Sequence, residues 1–364
     1  MARKVLIATG GTGGHLYPAQ SLAKKLNVES DIDLLFTGGR LSENSFFEKD
    51  HFNYQDISCS SLKLSFQFFK EIKIILKGIS QSLKILNEYN PDIIVAFGSF
   101  HTLPILVAAL LKRKKIYLHE QNKVMGKANR LFARFAKKLM ITFPKTSPNF
   151  PMKSILVKMP LKFVQEDLLS KIEARKRLDL NPDLQTILVC GGSQGARKIN
   201  TAFLESLKNL KEHSFQVIHI LGQHENLQDI EKIYLEEGIR AYVRSFDPQM
   251  HILMSASDFM IGRAGASIIS EIIELELPSI LIPYPYAGGH QDHNADFMEQ
   301  VVKGGFKINE KHLQKDFLAK CIVNFFNDEN IKEYRHYIKS YKKTAEAKDC
   351  AEIILEELTL GKRK

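Results

Sequence analysis

The sequence lacks the patterns that usually mark metal sites, disulfide frameworks and membrane spans. Its four cysteines, Cys59, Cys190, Cys321 and Cys350, are far apart and form no C-x-x-C pair, which favours reduced thiols in a cytosolic protein. No stretch approaches the roughly 18 uninterrupted apolar residues of a spanning helix. The first residues enter a strand pattern without an apolar targeting segment. We therefore predict that any membrane contact is peripheral.

Two common nucleotide-binding motifs are also missing. Counted from Gly11, the dinucleotide frame G-x-G-x-x-G meets Leu16 where its third glycine belongs. The second predicted strand ends in Phe36-Thr37-Gly38-Gly39, without the acidic residue that holds a ribose diol. No Gly-Lys-Ser/Thr follows either glycine-rich turn, as a P-loop requires. NAD and ATP chemistry are therefore disfavoured.

The composition is that of an ordinary globular enzyme with a basic surface. A chain of 364 residues, 44% hydrophobic and 25% charged, favours two domains with proper cores. The net charge of +10 predicts an anionic partner, which on composition alone is nucleic acid, anionic lipid or a phosphorylated ligand. No recognition module for nucleic acid is present, so a nucleic-acid partner is not expected.

Short apolar runs alternate with helical spacing, and this pattern occurs twice. The predicted strands are 4–9, 33–37, 93–97, 115–118 and 139–142, then 186–190, 216–221, 241–244, 259–261 and 279–282. Strands separated by helices predict parallel sheets. The predicted fold is therefore α/β, with two Rossmann-like domains that face each other across a cleft.

A proline-rich interruption between Pro144 and Pro160 marks the domain boundary, with the linker near Pro160. The predicted first domain covers residues 1–160 and the second covers 161–335. Residues 336–364 are predicted to return to the first domain, and 334–358 to be helical.

Each half opens with a strand, a glycine-rich loop and a helix. The loops are Gly10–Gly14, followed by His15, and Gly191–Gly195, which carries Ser193 and is followed by Ala196-Arg197. Backbone N–H groups in such a turn can approach an anion, and the helix dipole adds to the attraction. A tight turn without a ligand is the alternative, and the presence of two such loops favours the anion site.

The chain resembles the MurG family of glycosyltransferases in five motifs that occur in the family's order. They are Gly10-Gly11-Thr12-Gly13-Gly14-His15 with Pro18-Ala19, His119-Glu120-Gln121-Asn122, Gly191 to Arg197, Arg263-Ala264-Gly265-Ala266 with Ser270-Glu271, and His290-Gln291 with Asn294-Ala295. The resemblance implies a GT-B enzyme that moves GlcNAc from UDP-GlcNAc to undecaprenyl-pyrophosphoryl-MurNAc-pentapeptide (lipid I), forming lipid II. It implies a donor site mainly in the C-terminal domain and an acceptor site in the N-terminal domain.

The resemblance also assigns donor contacts. Glu271 is expected to bind the ribose hydroxyls, Ser193 the diphosphate and Gln291 the sugar hydroxyls. The full predicted set is Thr12, Gly13, Gly14, Asn122, Lys162, Ser193, Phe246, Asp247, Ala266, Ser267, Ile268, Ile269, Ser270, Glu271, Gln291 and Asn294. We place Glu271 at the start of a helix, where the alternative is an ordinary first-turn glutamate stabilised by the helix dipole.

His15 is the predicted general base, because an imidazole titrates near neutral pH and can take the proton of an attacking hydroxyl. The alternatives are that His15 caps the helix or binds a phosphate, and that Glu120 is the base or a structural partner of the first loop. The residues expected to contact the acceptor are Gly11, Gly98, Ser99 and Phe100.

No metal or other cofactor is predicted. The one Asp-x-Asp pair, Asp31 and Asp33, lies at the start of a strand, whereas ligands bind beyond the carboxyl ends of such strands. The family's metal-independent chemistry agrees with this reading. Leaving-group charge is then left to helix N-termini and side chains.

Three positions depart from the family pattern. Lys162 stands where an arginine is usual and cannot provide a bidentate fork. Gly98-Ser99-Phe100 replaces Gly-Gly-Tyr, and Ile268 replaces a frequent threonine, which leaves only backbone contacts there.

Large apolar residues and lysines alternate over residues 62–83. The residues predicted to contact an anionic membrane surface are Phe66, Phe68, Phe69, Lys70, Ile72, Lys73 and Ile75. An amphipathic core helix with solvated lysines is the alternative. The predicted location is the cytoplasmic face of the bacterial inner membrane, where other cell-wall synthesis proteins are possible partners.

Two other functions compete with transfer to lipid I. One is a different GT-B activity, either a glycolipid glycosyltransferase or a UDP-sugar epimerase. The other is a non-catalytic protein that binds a nucleotide sugar and docks on the membrane.

Overall fold

The computed structural model describes residues 2–28, 31–61, 68–146, 153–192, 195–223, 225–286 and 289–360, except for the side chain of Phe68. The chain divides into two compact units. The first comprises Met1–Lys162 and Glu346–Lys364, and the second comprises Phe163–Ala345. The change from the first unit to the second falls just beyond Pro160.

In the described part of the first unit, seven strands form one parallel sheet. They are β1 Arg3–Ala8, β2 Ile32–Gly38, β3 Tyr54–Asp56, β4 Ile93–Ala96, β5 Ile116–Glu120, β6 Lys138–Ile141 and β7 Ser154–Leu156. Their order is β3-β2-β1-β4-β5-β6-β7, so the chain runs outward in one direction from β1 and in the other from β4. The loops that follow β1 and β4 therefore diverge and leave the crevice in which open α/β sheets bind ligands.

Helices cover both faces of this sheet. They are α1 Gly13–Leu26, α2 Phe68–Tyr89, α3 Leu103–Leu111 and α4 Lys127–Phe132. The alternation of side chains along β1 divides the core: Val5 and Ile7 pack on the side of α1, whereas Leu6 and Ala8 pack on the side of α2 and α3.

The second unit repeats this plan with six parallel strands among its described residues. They are β8 Gln185–Cys190, β9 Phe215–Ile220, β10 Ala241–Arg244, β11 Phe259–Gly262, β12 Ser279–Leu281 and β13 Gly305–Lys307. Their order is β10-β9-β8-β11-β12-β13, which places the reversal between β8 and β11. The helices are α5 Lys171–Arg177, α6 Arg197–Ser206, α7 Leu227–Glu236, α8 Met250–Ala256, α9 Ala266–Glu274, α10 His290–Asp296, α11 Lys315–Phe326 and α12 Asp328–Thr344. The prediction of two Rossmann-like parallel-sheet domains is confirmed.

The C-terminal segment differs from the prediction in two ways. The helix predicted over 334–358 is two helices, α12 and α13 Cys350–Leu360. All of α12 belongs to the second unit, so the return to the first unit begins at Glu346 and not at residue 336. From there α13 packs beside α1, with Ile353, Ile354 and Leu358 in the core of the first unit.

Candidate active site

The first predicted loop lies at the reversal between β1 and β4. Gly11 has φ +89°, and a Cβ built on it would lie 3.3 Å from the Ser99 hydroxyl, in the loop after β4. Only glycine combines that dihedral angle with such a close neighbour. Thr12 is the N-cap of α1, but its side chain makes no capping hydrogen bond. The N-cap side chain therefore leaves the N–H groups of the first turn, which begins at Gly13 and Gly14, without a cap.

His15 is oriented by the end of β4. Its Nδ1 lies 2.8 Å from the Phe97 carbonyl oxygen, and the ring is half-buried. Because a carbonyl oxygen can only accept, Nδ1 carries the hydrogen and the neutral ring has its basic lone pair on Nε2. The backbone carbonyl of His15 in turn accepts a bond from the Thr9 hydroxyl at 3.2 Å. This tautomer is the one that a general base acting through Nε2 requires.

Glu120, the rival base, is fully engaged in its own loop. The residue is 2% exposed, and its Oε1 accepts the backbone N–H of Asn122 at 3.0 Å. Its Oε2 accepts the Gly126 N–H at 2.9 Å and the Asn129 side-chain amide at 2.8 Å. The carboxylate therefore holds the segment after β5 together. The structural partner predicted for it was the loop after β1, whereas its hydrogen bonds go to residues 122–129.

Three buried polar side chains near this point were not assigned a role from the sequence. Both ring nitrogens of His119, the Oε1 of Gln121 and the Oδ1 of Asn129 lack a partner among the described residues. Burial lowers the pKa of His119 to about 3, so its ring is neutral. Gln121 donates to the same Phe97 carbonyl at 3.0 Å. His119 and Gln121 flank Glu120 in the motif His119-Glu120-Gln121-Asn122, and that adjacency is the feature of the sequence that points to them.

The loop after β4 has an unusual backbone. Gly98 has φ +79°, and Ser99 has φ +71°, which is rare for a residue with a side chain. A Cβ on Gly98 would lie 3.1 Å from the Asn129 amide nitrogen. Phe100 is 41% exposed and stacks on His101, with ring centroids 4.0 Å apart. The structure thus brings the predicted acceptor residues together at one end of the first sheet, and their contact with an acceptor stays a prediction.

The second glycine-rich loop lies at the reversal between β8 and β11. Ser193 falls outside the described residues, so its predicted diphosphate contact has no structural account. Gly195 has φ +73°, and a Cβ built on it would lie 2.7 Å from the Leu221 carbonyl oxygen. The N-cap of α6 is Ala196, which makes no side-chain capping bond. Among the described residues, the N-cap position therefore supplies no side-chain bond to the first turn of α6.

The helix α9 begins across the reversal from α6. Its N-cap is Gly265, so the N–H groups of Ala266, Ser267 and Ile268 have no acceptor within the helix. The Ser267 hydroxyl oxygen is buried and has no hydrogen-bond partner among the described residues. These features suit an anion. By contrast, Ile269 is 0% exposed and its N–H donates to the Gly265 carbonyl, so its predicted donor contact is not supported.

The sequence predicts Glu271 at the start of its helix, and that prediction is wrong. Glu271 is the sixth residue of α9, in the second turn, and is half-buried. That position also removes the alternative of a first-turn glutamate on the helix dipole. Ser270, beside it, donates its hydroxyl to the Ala266 carbonyl at 3.1 Å. The predicted ribose contact of Glu271 stays a prediction.

Two amides brace the loops after β11 and β12. Asn294 is fully buried and donates to the Ala264 carbonyl at 3.1 Å, next to the N-terminus of α9. The Oε1 of Gln291 accepts the Tyr284 N–H at 3.0 Å. The complete burial of Asn294 indicates a bracing role more than direct contact with a sugar.

The structure also defines the exposure or contacts of Phe246, Asp247 and Lys162, three further predicted donor residues. Phe246 is 53% exposed, and Asp247 accepts the Tyr242 hydroxyl at 2.9 Å. The ammonium of Lys162 lies 3.2 Å from the centroid of the Tyr17 ring, a cation–π contact that holds the lysine over α1. Their contacts with a donor stay predictions, as do those of Thr12, Gly13, Gly14 and Asn122.

Only some of the residues predicted to contact a membrane are exposed on α2. Phe69 is 78% exposed, and Lys70 and Lys73 are also exposed. Ile72 is half-buried, and Ile75 is buried at 8% exposure, so the prediction that Ile75 contacts a membrane is wrong. Phe66 and the side chain of Phe68 lie outside the described part. None of the described helices is long and apolar enough to cross a bilayer.

No cluster of three or more His, Cys, Asp or Glu side chains able to hold a metal occurs in the described residues.

Comparison with known proteins covers the chain along nearly its whole length. The N-terminal domain model of glycosyltransferase family 28 matches residues 5–141, and the C-terminal domain model matches residues 186–353. A UDP-N-acetylglucosamine--N-acetylmuramyl-(pentapeptide) pyrophosphoryl-undecaprenol N-acetylglucosamine transferase of Protochlamydia amoebophila is 38% identical over 361 residues, which is 98% of this chain and 96% of the relative. The enzyme of the same name from Chlamydia muridarum is 33% identical over 358 residues, 98% of each chain. The crystal structure of Acinetobacter baumannii MurG has the same fold, with a TM-score of 0.76 and 22% identity over the full length of both chains.

Proposed function

The chain belongs to glycosyltransferase family 28, and on that premise we propose that it transfers GlcNAc from UDP-GlcNAc to undecaprenyl-pyrophosphoryl-MurNAc-pentapeptide, forming lipid II. Relatives that are 33–38% identical over the whole chain carry the name of that reaction. The observation that supports it most within the molecule is the state of His15 beside an uncapped helix N-terminus.

In the proposed reaction, an acceptor hydroxyl attacks the anomeric carbon of GlcNAc. The bond between that carbon and the diphosphate oxygen breaks, and UDP leaves with the bonding electron pair. The hydroxyl proton passes to Nε2 of His15, whose Nδ1–H is held by the Phe97 carbonyl at 2.8 Å. Glu120 is unsuited to this step, because both its oxygens already accept hydrogen bonds from residues 122–129.

Charge on the departing diphosphate is met by the second unit. The N-termini of α6 and α9 follow the two strands that flank the reversal, and neither N-cap residue, Ala196 or Gly265, provides a side-chain cap. The N–H groups of these first turns and the helix dipoles supply positive potential where the leaving group gains charge. We propose that transfer proceeds without a metal ion for this reason.

We further propose a peripheral site of action at the cytoplasmic face of the inner membrane. The acceptor carries a polyprenyl chain, so the enzyme must reach the bilayer surface. The exposed side chains of Phe69 and Leu76 beside Lys70, Lys73 and Lys77 on α2 give an apolar strip with a basic rim.

One assay tests the reaction. Labelled UDP-GlcNAc and a lipid I analogue are incubated with the protein in EDTA, and the product is expected to be labelled disaccharide lipid. Donor turnover that needs no lipid would indicate an epimerase instead. Donor binding without any turnover would indicate a binding protein.

The role of His15 is tested by His15→Ala. UDP affinity is expected to stay within about twofold, while kcat falls on the order of 100-fold or more. A variant with unaltered turnover would remove His15 as the base.

A further inference from the structure

A buried carboxylate joins the loops at the carboxyl end of the second sheet. Glu310 stands just after β13, at the start of a short 3₁₀ turn, Glu310–His312, and its side chain is 5% exposed. Its Oε2 lies 2.6 Å from a guanidinium nitrogen of Arg263, and its Oε1 lies 3.0 Å from the ammonium of Lys198. This network was not anticipated from the sequence, because its members are far apart along the chain.

The two partners of Glu310 belong to different segments of the second unit. Lys198 is the second residue of α6, the helix that follows the glycine-rich loop after β8. Arg263 stands directly after β11, two residues before the N-cap of α9. Glu310 therefore links the starts of both helices that flank the reversal between β8 and β11.

Arg263 extends the link to a third loop. Its Nη1 donates to the carbonyls of Ile282 at 3.1 Å and Pro283 at 3.3 Å, directly after β12. The guanidinium also lies over the ring of Tyr284, 5.3 Å from its centroid. The segment that begins there leads to Gln291 on α10.

The charges in this network are well compensated. Arg263 and Glu310 are 10% and 5% exposed, so their pair is almost dry. Burial raises the pKa of the Glu310 carboxyl, but its interactions with the positively charged Lys198 and Arg263 outweigh that effect and the pKa lies below its usual value. Removal of the carboxylate charge leaves Arg263 buried without its counter-ion, which the loops can relieve only by moving.

We propose that Glu310 is a positioning residue for the nucleotide sugar: it sets the spacing between the N-termini of α6 and α9, and thereby their grip on the diphosphate. Glu310 acts through Lys198 on α6 and through Arg263 on α9, without touching the ligand. The proposal rests on the proposed function, which puts the diphosphate of UDP-GlcNAc between these two helix starts.

The test compares UDP binding and steady-state kinetics in matched variants. Glu310→Gln keeps the shape of the side chain and removes its charge. We expect the Kd for UDP and the KM for UDP-GlcNAc to rise about tenfold, with the KM for the lipid acceptor unchanged. A general loss of folding would alter both substrates and the circular dichroism spectrum together.

Lys198 provides a variant that does not endanger the fold, since its side chain is 67% exposed. Lys198→Met is expected to raise the Kd for UDP about threefold, and Lys198→Arg to restore it. In the double variant with Glu310→Gln, the loss should not exceed that of Glu310→Gln alone, because both act through one ion pair.

Glu237→Gln is the matched control. Glu237 pairs with Lys211 at 2.9 Å, and both stand just before strands, at the opposite edge of the same sheet. It should leave UDP binding unchanged. Wild-type affinity in Glu310→Gln, or an equal loss in Glu237→Gln, would overturn the proposal. A wild-type chain that binds UDP without transferring sugar would overturn the reaction, while the effect of Glu310 on UDP binding would still be measured.

Discussion

Besides its apolar packing, the returning helix α13 is joined to the first sheet by the carboxylate of Glu357, and Glu357→Gln tests how strongly that carboxylate holds it. Glu357 is 4% exposed, and it accepts the Tyr117 hydroxyl at 2.7 Å and the Lys138 ammonium at 2.7 Å. Lys137 also binds it. Tyr117 lies on β5 and Lys138 on β6, so a single side chain ties α13 to two strands.

The magnitude follows from the pKa of this carboxyl. Burial raises the pKa, but hydrogen bonds from Lys137, Lys138 and Tyr117 outweigh burial and lower it from 4.5 to about 2. A difference of about 2.5 pH units corresponds to about 3.4 kcal/mol. The side chains of Lys137 and Lys138 are 46% and 28% exposed, and water compensates them when the carboxylate is lost. We therefore expect Glu357→Gln to destabilise the first unit by about 2 kcal/mol at pH 7.

The sign of the pH dependence follows from the lowered pKa. The stabilisation is complete above the unfolded pKa of 4.5 and is lost as the pH falls toward about 2. The difference between wild type and variant should thus be constant from pH 7 to 5 and shrink between pH 4.5 and 2.5. Because the chain has no tryptophan, unfolding in urea is followed by circular dichroism, with hydrogen exchange of the α13 amides as a local readout.

Glu88→Gln serves as the control, since Glu88 forms an exposed pair with Lys84 on α2 at 3.8 Å. Its effect should stay below about 0.5 kcal/mol. A loss in Glu357→Gln that is as small as this, or one that stays the same at pH 3, would show that the carboxylate charge does not hold α13.

Four further variants test the packing and exposure of single residues. Gly195→Ala should weaken UDP binding at least tenfold and lower the free energy of unfolding by about 3 kcal/mol, because the added Cβ would lie 2.7 Å from the Leu221 carbonyl oxygen. Calorimetry measures the binding, and urea unfolding measures the stability. Gly238→Ala, at φ +67° with no atom within 4 Å of the added Cβ, should cost only about 1 kcal/mol and leave UDP binding intact. Phe69→Ser should reduce sedimentation with anionic vesicles without loss of stability, whereas Ile75→Ala should cost about 3 kcal/mol without changing vesicle binding.

The sequence predicts the long elements well because their periodicity is strong. The strands that it misses are β3, β7 and β13, each three residues long and too short to show alternation, whereas the equally short β12 lies within the predicted apolar run 279–282. The break between α12 and α13 escapes prediction because residues 345–349 contain no glycine or proline. Its signal is Asp349, whose carboxylate accepts the Ala351 N–H at 2.7 Å and pairs with Lys25.

The face of α2 was misjudged because its buried stripe contains small residues. Gly78 and Ser82 lie in that stripe beside Ile75, and a Cβ on Gly78 would lie 1.9 Å from the Ser58 carbonyl oxygen. The backbone at Ser58 therefore excludes large side chains from the middle of the helix. Because large apolar residues such as Phe69 lie on the exposed face, hydrophobic spacing alone does not identify which side of α2 is buried.

The orientation of the His15 ring shows how the fold prepares the first site. Phe97, the first residue after β4, accepts the Nδ1–H of His15 with its carbonyl oxygen. Its N–H donates to the carbonyl of Ala8, the last residue of β1, at 2.9 Å. Gln121 donates to the same Phe97 carbonyl from the end of β5. The tautomer is thus set by main-chain groups of adjacent strands, which no change of surface residues can easily disturb. One reversal of strand order supplies both the uncapped N–H groups of α1 and a lone pair on Nε2, so an anion and a reacting hydroxyl can be handled at the same point.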